Sequence, residues 1–274
     1  MRLAAFTVDV DRDVNIPMEG RKEAISRAVN GETGPRFSSS RRGLELLVEA
    51  LNRSGIRATF FLEAETAQRI SETVDLGSLL RGHEVASHGW CHEDLTGEST
   101  KVTMCAEEVG EVLDRSARVI EDVTGQRVKG FRAPYQHVSL EALDELSARG
   151  YLYDSSLTRD IADRAILPFR HPNGLLELPL ARGRDAAGKR IHSYLWPMHE
   201  GKRAVADYLH LLDQYDDGVL VLATHSWHVV ETYQCALGPE DSRSKVRQVE
   251  EVIQGAMARG IEFKTLEEHS HQGF

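Results

Sequence analysis

The chain has 274 residues, of which 41% are hydrophobic and 28% are charged, so it can bury a sizeable core and is not expected to be disordered. Its formal net charge of −10 argues against nucleic acid or an anionic membrane as the main partner, because both are bound through clustered Lys and Arg. A neutral sugar or amide substrate stays open.

Apolar runs alternate with helical patterns along most of the chain. In the first half, strands are predicted at residues 3–10, 58–62, 84–87 and 128–132, and helices at residues 41–53, 76–81, 102–123 and 139–149. In the second half, a mixed segment at 151–157 precedes strands at 175–180, 191–196, 218–224 and 261–265 and helices at 202–215 and 244–259. Residues 14–40 and 158–172 are polar or glycine-rich, and we expect loops over the site there.

This alternation predicts parallel strand pairing and an α/β fold. Seven or eight strand–helix units favour a barrel or distorted barrel over an open sheet, and no linker divides residues 1–274, so one domain is expected. The N-terminal run MRLAAFTVDVDRD is interrupted by charge too early for a secretory signal, and no stretch reaches about 18 apolar residues. We therefore expect a cytoplasmic protein without membrane insertion.

Side chains able to do chemistry fall at the C-terminal ends of the predicted strands. They are Asp9, Asp11, His88, His92, Arg132 and His225. Active sites of parallel α/β barrels form at that face, so these distant residues are expected to converge on one rim.

The strongest of these signals is a candidate metal site. His88 and His92 are four residues apart, which puts both imidazoles on one face of a helical turn, although such pairs are usually surface residues. A carboxylate from another strand strengthens the signal, because two histidines and one carboxylate form a common open metal site. Asp9 and Asp11 point to the same side of an extended segment, so one can bind a cation while the other acts as a general base. The alternative is an exposed acidic loop, since Asp13 adds a third charge.

Arg132 and His225 each have a structural alternative. Arg132 beside a free aspartate would orient that carboxylate and lower its pKa, but an arginine at a strand end can equally be a surface residue. His225 follows the apolar run GVLVLAT and would protonate a departing amine, but it can equally be a satisfied core histidine.

Taken together, the motifs resemble the polysaccharide deacetylase family, also called the NodB-homology or carbohydrate esterase family 4 group. TVDVD is similar to the family's first motif, SHGWCH to its second, RAPY to its third and ATHSW to its fifth, in the family's order. The family's acid pair is usually adjacent, whereas Val10 separates the two acids here. That form resembles a signal-less branch with Helicobacter-type peptidoglycan deacetylase and allantoinase-like hydrolases. Asp154 is the best candidate for the fourth motif, although no Trp follows it closely.

The resemblance implies a distorted (β/α)7–8 barrel of the NodB-homology type and a divalent metal, expected to be Zn²⁺. It implies that Asp11, His88 and His92 hold this metal and that an acyl group, such as acetyl, is removed from an amide nitrogen, in an N-acetylated sugar or glycan. Relatives in this branch often assemble into oligomers, so a homo-oligomer is an expectation by analogy.

The resemblance also implies roles in the reaction. Asp9 takes a proton from the attacking water while Arg132 holds Asp9 in place. A backbone N–H near Tyr135 stabilises the oxyanion, and His225 donates a proton to the leaving nitrogen.

Several nearby residues have less certain uses. Tyr135, Trp90, Trp227 and Trp196 are candidates for stacking on a sugar or heterocycle, and packing beneath loops is an equal alternative for each. Cys91 lies between the two metal histidines, but no basic partner is evident for a catalytic thiol. The other two cysteines, Cys105 and Cys235, complete an odd and widely spaced set that forms no disulfide framework.

Two rival functions remain open at this point. The first is an allantoinase-like hydrolase of cyclic amides or imides, which the lack of an export signal favours somewhat. The second is an inactive barrel that serves as a binding module, which the joint presence of all six site residues argues against.

Overall fold

The computed structural model describes residues 1–29 and 31–272. Its central feature is a strongly curved sheet of short parallel strands. These are β1 (Arg2–Val10), β2 (Thr59–Leu62), β3 (Glu84–Ser87), β4 (Gly130–Phe131), β5 (Tyr153–Asp154), β6 (Leu176–Glu177), β7 (Leu180–Arg184) and β8 (Asp217–His225).

The strands follow the spatial order β6-β5-β4-β3-β2-β1-β8-β7. Strands β6 and β7 are two parts of one segment that is interrupted at Pro179, which has no N–H to continue the ladder. The first part pairs with β5, and Leu180 of the second pairs with Val221 of β8. This segment therefore joins the two ends of the sheet, and the predicted distorted α/β barrel is confirmed.

Helices pack outside the sheet. They are α1 (Phe37–Ser54), α2 (Ala64–Ser71), α3 (Leu76–Leu79), α4 (Ala106–Thr124), α5 (Leu140–Ala148), α6 (Trp196–His199), α7 (Val205–Leu212), α8 (Pro239–Met257) and α9 (Leu266–Ser270). Helix α1 buries Leu44, Leu47 and Leu51, as its spacing predicted, and ends at Gly55, whose left-handed φ of 70° suits glycine. No helix among the described residues is long and apolar enough to cross a membrane.

The segments expected to be loops hold short strands instead. Within 14–40, Asn15–Ile16 pairs with Ile25–Ser26, and α1 begins at Phe37. Within 158–172, Thr158–Asp160, Ala165–Ile166 and Phe169–Arg170 pair with β7, β8 and β6. Strands of two or three residues are too short to show a periodic pattern, which is why the sequence suggested loops. Two more short strands, Arg190–His192 and Glu262–Phe263, pair with β7 and β1.

Strand β1 shows how the sheet divides the core. Ala4, Phe6 and Val8 belong to the apolar layer that also contains buried residues of α1 and α8. Leu3 and Ala5 belong to the second cluster, with residues of β5 to β8. The alternation continues to the end of the strand, so the residues at odd positions there face the barrel interior.

Candidate active site

The aspartates of β1 and the histidines that follow β3 meet at the C-terminal end of the barrel. An oxygen of Asp11 lies 3.5 Å from Nε2 of His88, and its other oxygen lies 3.6 Å from Nε2 of His92. One potential ligand atom from each of the three residues lies within 4.8 Å of the other two, and all three side chains are buried. The structure therefore brings together the three residues predicted to hold the metal.

The orientation of the His88 ring is fixed by a hydrogen bond at the nitrogen that faces away from Asp11. Its Nδ1 lies 2.7 Å from the carbonyl oxygen of Arg132. A carbonyl only accepts, so Nδ1 carries the hydrogen and Nε2 keeps a lone pair that faces Asp11. This is the arrangement that metal-binding histidines usually have, with the second ring nitrogen bonded to a carbonyl or carboxylate.

The three residues fit a divalent cation. Separations of 3.5 and 3.6 Å are long for a hydrogen bond, but two ligands about 2.1 Å from one tetrahedral ion lie about 3.4 Å apart. Oδ1 of Asp11 is buried and has no hydrogen-bond partner among the described residues. Burial, with Asp9 and Glu63 nearby, raises the pKa of Asp11 well above its ordinary value. A bound cation would compensate this carboxylate, and its nitrogen and oxygen ligands suit Zn²⁺.

Asp9, unlike Asp11, lies among groups that stabilise its ionised form. Its Oδ1 accepts a hydrogen bond of 2.8 Å from Nη1 of Arg132, and its Oδ2 accepts one of 2.6 Å from the hydroxyl of Tyr194. Burial alone would raise the pKa of Asp9. However, the charges of Arg132, His88 and His225 and the bond from Tyr194 lower it below the ordinary value. Asp9 is therefore an ionised carboxylate that is held at both oxygens.

Arg132 is a fully buried positioning group and not a surface residue. Besides Asp9, its guanidinium donates to the hydroxyl of Thr7 and to the carbonyl and hydroxyl oxygens of Ser155, at 2.9 to 3.0 Å. Its Cζ also lies 4.2 Å from the centre of the Phe61 ring. These contacts leave the side chain little freedom, so it can hold Asp9 in one position.

His225 is linked to Asp9 through Tyr194. The Tyr194 hydroxyl donates its one hydrogen to Asp9, so the hydroxyl oxygen, 2.9 Å from Nε2 of His225, accepts from that nitrogen. Burial, more than the charges around it, lowers the pKa of His225 to about 4. Nε2 also lies 3.6 Å from Asp11, and the ring stacks on Trp227 with centroids 5.1 Å apart. Tyr194 could not be predicted as a site residue, since nothing near it in the sequence resembles a catalytic motif.

The two aspartates, the three histidines and Tyr194 line a cleft of about 500 Å³. Its walls are mainly aromatic, and include Tyr135, Trp196, Trp227 and Tyr233. Tyr135 is held at a left-handed φ of 57°, and its ring meets that of His92 edge to face at 4.5 Å. Three of the four predicted stacking residues, Tyr135, Trp196 and Trp227, thus reach the cleft.

Trp90 does not line this cleft, contrary to our expectation. Its ring is covered by Arg115, whose Cζ lies 3.5 Å from the ring centroid, and it lines a separate depression.

Cys91 also lacks the surroundings of a nucleophile. Its Sγ lies 3.3 Å from an oxygen of Glu65, and burial with nearby acids raises the pKa of the thiol.

Asp154 lies in a different cluster from His225. Its carboxylate accepts hydrogen bonds from the backbone N–H and hydroxyl of Ser156, and it lies beside His171 and Glu177. The Ser156 hydroxyl oxygen also accepts a 2.8 Å hydrogen bond from the backbone N–H of Ala133. Asp154 therefore supports the RAPY turn and does not orient His225 directly.

Comparisons with known proteins point to the same family as the motifs. Residues 32–153 match the model of the polysaccharide deacetylase family. The chain is 32% identical over 163 residues to peptidoglycan deacetylase-like protein FGM2 of Gibberella zeae, covering 57% of this chain and 45% of that protein. It is 30% identical over 115 residues to the peptidoglycan deacetylase of Helicobacter pylori, covering 42% of this chain and 37% of that protein. The chain thus spans less than half the length of these two relatives.

Solved structures share the fold. The chain is similar to Puue allantoinase with a TM-score of 0.67 and 17% identity, over 98% of this chain and 88% of that one. At that identity the likeness shows the fold alone. The family match and the relatives confirm the resemblance found in the motifs, and the match to the polysaccharide deacetylase family extends over residues 32–153.

Proposed function

We propose that the protein is a metal-dependent hydrolase that removes an acyl group, such as acetyl, from an amide nitrogen of an N-acylated sugar or glycan. The observation that carries the proposal is the pair of acids at the end of β1. Asp9 is held by Arg132 and Tyr194, while Asp11 faces two histidines and forms no ion pair with a Lys or Arg among the described residues.

Asp11, His88 and His92 are the residues that would hold the ion. A divalent ion bound there would act as a Lewis acid, activating a water molecule and polarising the acyl carbonyl. Because His88 is already fixed through its bond to the carbonyl of Arg132, the chain presents its lone pair without further rearrangement.

The remaining steps belong to the side chains of the protein. Asp9 accepts the proton of the attacking water at a carboxylate oxygen, and Arg132 and Tyr194 keep that carboxylate in place. His225 presents Nε2 beside both aspartates and is the proposed proton donor to the departing nitrogen, after its imidazole takes up a second proton. A backbone N–H near Tyr135, in a turn with left-handed φ, is the proposed oxyanion donor.

The cleft suits a neutral ring. No Lys or Arg is among the described residues that line it, whereas five of the lining residues are Tyr or Trp. Aromatic faces provide apolar contact for a sugar ring, and their polar tips supply hydrogen bonds. With a volume of about 500 Å³, the cleft is large enough for a small polar ligand to be mostly enclosed.

A cyclic amide hydrolase is the second candidate, favoured by the shared fold with Puue allantoinase. The test compares the Zn²⁺-loaded protein on N-acetylglucosamine oligomers and on allantoin and hydantoins. Acetate release from the oligomers alone supports our proposal, and ring opening alone supports the second candidate. Bound metal without hydrolysis of any amide would show instead that the barrel is an inactive binding module.

A further inference from the structure

A basic depression adjoins the catalytic cleft. It has a volume of about 450 Å³, and four cations line it: Lys189, Arg190, Lys202 and Arg203. It shares His192 and Trp196 with the cleft, so a ligand bound across these two residues would occupy both.

The charge of this region differs from that of the whole chain. Residues 180–203 contain six Lys and Arg but only two acids, a net charge of +4, whereas the chain carries −10. Both acids have other partners: Asp185 pairs with Arg203, and Glu200 pairs with His228. Lys189, Arg190 and Lys202 form no ion pair within residues 1–29 and 31–272. Lys202 instead places its Nζ 4.9 Å from the centre of the Trp196 ring.

The hairpin that carries these residues contains an unfavourable pair. Arg184 and Arg190 are directly opposite each other where Arg190–His192 pairs with β7. Like charges at directly opposite positions of an antiparallel pair destabilise it. Arg190 lines the basic depression and Arg184 does not, so an anion bound beside Arg190 would offset part of this repulsion.

We infer that Lys189, Arg190 and Lys202 form a subsite for an anionic group of the substrate, a phosphate or a carboxylate. The inference rests on the proposed function and narrows it, since the substrate becomes an N-acylated sugar that carries such a group. The sugar ring lies in the neutral cleft against Trp196, and the anionic group extends past Trp196 into the basic depression. Guanidinium and ammonium groups bind both kinds of oxyanion through charge-assisted hydrogen bonds.

A binding experiment tests the subsite without requiring activity. Inorganic pyrophosphate is titrated calorimetrically into the Zn²⁺-loaded wild type, the Arg190→Gln/Lys202→Gln variant and an Arg42→Gln/Arg247→Gln control. The control removes two exposed charges from α1 and α8 and so matches the change in net charge. We expect affinity at least about tenfold weaker in the subsite variant alone, and weaker wild-type binding at higher salt. Equal affinity in all three proteins would overturn the inference, because pyrophosphate would then bind elsewhere, for example at the metal.

An activity experiment identifies the anionic group. We expect wild-type kcat/KM to be higher for N-acetylglucosamine 1-phosphate or for N-acetylmuramic acid than for neutral N-acetylglucosamine oligomers, and the preferred compound shows whether phosphate or carboxylate is bound. The subsite variant should lose about tenfold on the preferred anionic sugar, mainly in KM, and stay within about twofold on the neutral oligomers. Wild type without preference for either anionic sugar would refute the inference. Absence of hydrolysis on every sugar would refute the proposed function, while the pyrophosphate titration would still decide the subsite.

Discussion

Replacing Tyr194 by Phe tests the role of the hydroxyl that joins the base and the acid. The change removes a 2.6 Å hydrogen bond to Asp9 and leaves the Nε2–H of the half-buried His225 without its acceptor. A hydrogen bond to an ionised group contributes about 1.5–3 kcal/mol, and each 1.36 kcal/mol of a reaction barrier is a factor of about ten. If the bond positions Asp9 for proton transfer, kcat/KM should fall about ten- to a hundredfold.

The pH profile provides a sharper readout than the rate alone. The Tyr194 bond is one of the contributions that lower the pKa of Asp9, so its loss raises that pKa towards the ordinary value. Activity needs the ionised carboxylate and disappears as pH falls through its pKa. The acid limb of the kcat/KM profile should therefore move to higher pH in the variant.

Tyr215→Phe is the matched control. Tyr215 is also fully buried, but its hydroxyl donates to the carbonyl of Leu3, at the other end of β1 from Asp9. The control should lose stability in denaturant unfolding, as the Tyr194 variant does, without any change in the pH profile. A folded Tyr194→Phe variant with wild-type kcat/KM and an unmoved acid limb would refute the proposed link.

The other predictions concern the base, the metal and the aromatic walls. Asp9→Asn should lower kcat by about a hundredfold or more while elemental analysis still finds one metal per chain, and undiminished activity would exclude Asp9 as the base. His88→Ala or His92→Ala should abolish stoichiometric metal, and retention of the ion in either variant would contradict the assigned ligands. Trp196→Leu should raise KM for a sugar substrate whereas Trp90→Leu should not, because Trp196 lines the cleft and Trp90 does not; equal effects would argue against this geometry.

Much of the fold could be predicted because its main elements are long and periodic. The apolar runs that became β1 and β8 and the amphipathic pattern of α1 are visible without any tertiary information. Helix α2 was missed, since its buried face consists mainly of small residues such as Ala64 and Ala67, which give a weak pattern. The two-residue strands were missed because they depend on their neighbours in the sheet for their conformation.

The site could be predicted where residues combine a reactive side chain with a strand end. Tyr194 lacks that signal, because it lies between Ser193 and Leu195 in a short segment where nothing indicates that its hydroxyl reaches Asp9. Trp90 shows the opposite error, because its place inside a motif says nothing about the direction of its ring. The direction of a side chain depends on the local backbone conformation and on contacts with distant segments, and a single sequence reveals neither.

The residue between the two acids explains how one strand end supplies two different groups. Val10 is buried in the outer apolar layer with Phe6 and Val8, so Asp9 and Asp11 on either side of it both face the barrel interior. An adjacent acid pair on the same extended backbone would point to opposite faces. The intervening Val10 thus places both carboxylates in one cavity, where Arg132 compensates Asp9 but not Asp11. Because their environments shift the two pKa values in opposite directions, we expect the two acids to have different roles, Asp9 as the ionised base and Asp11 as the proposed ligand of a cation.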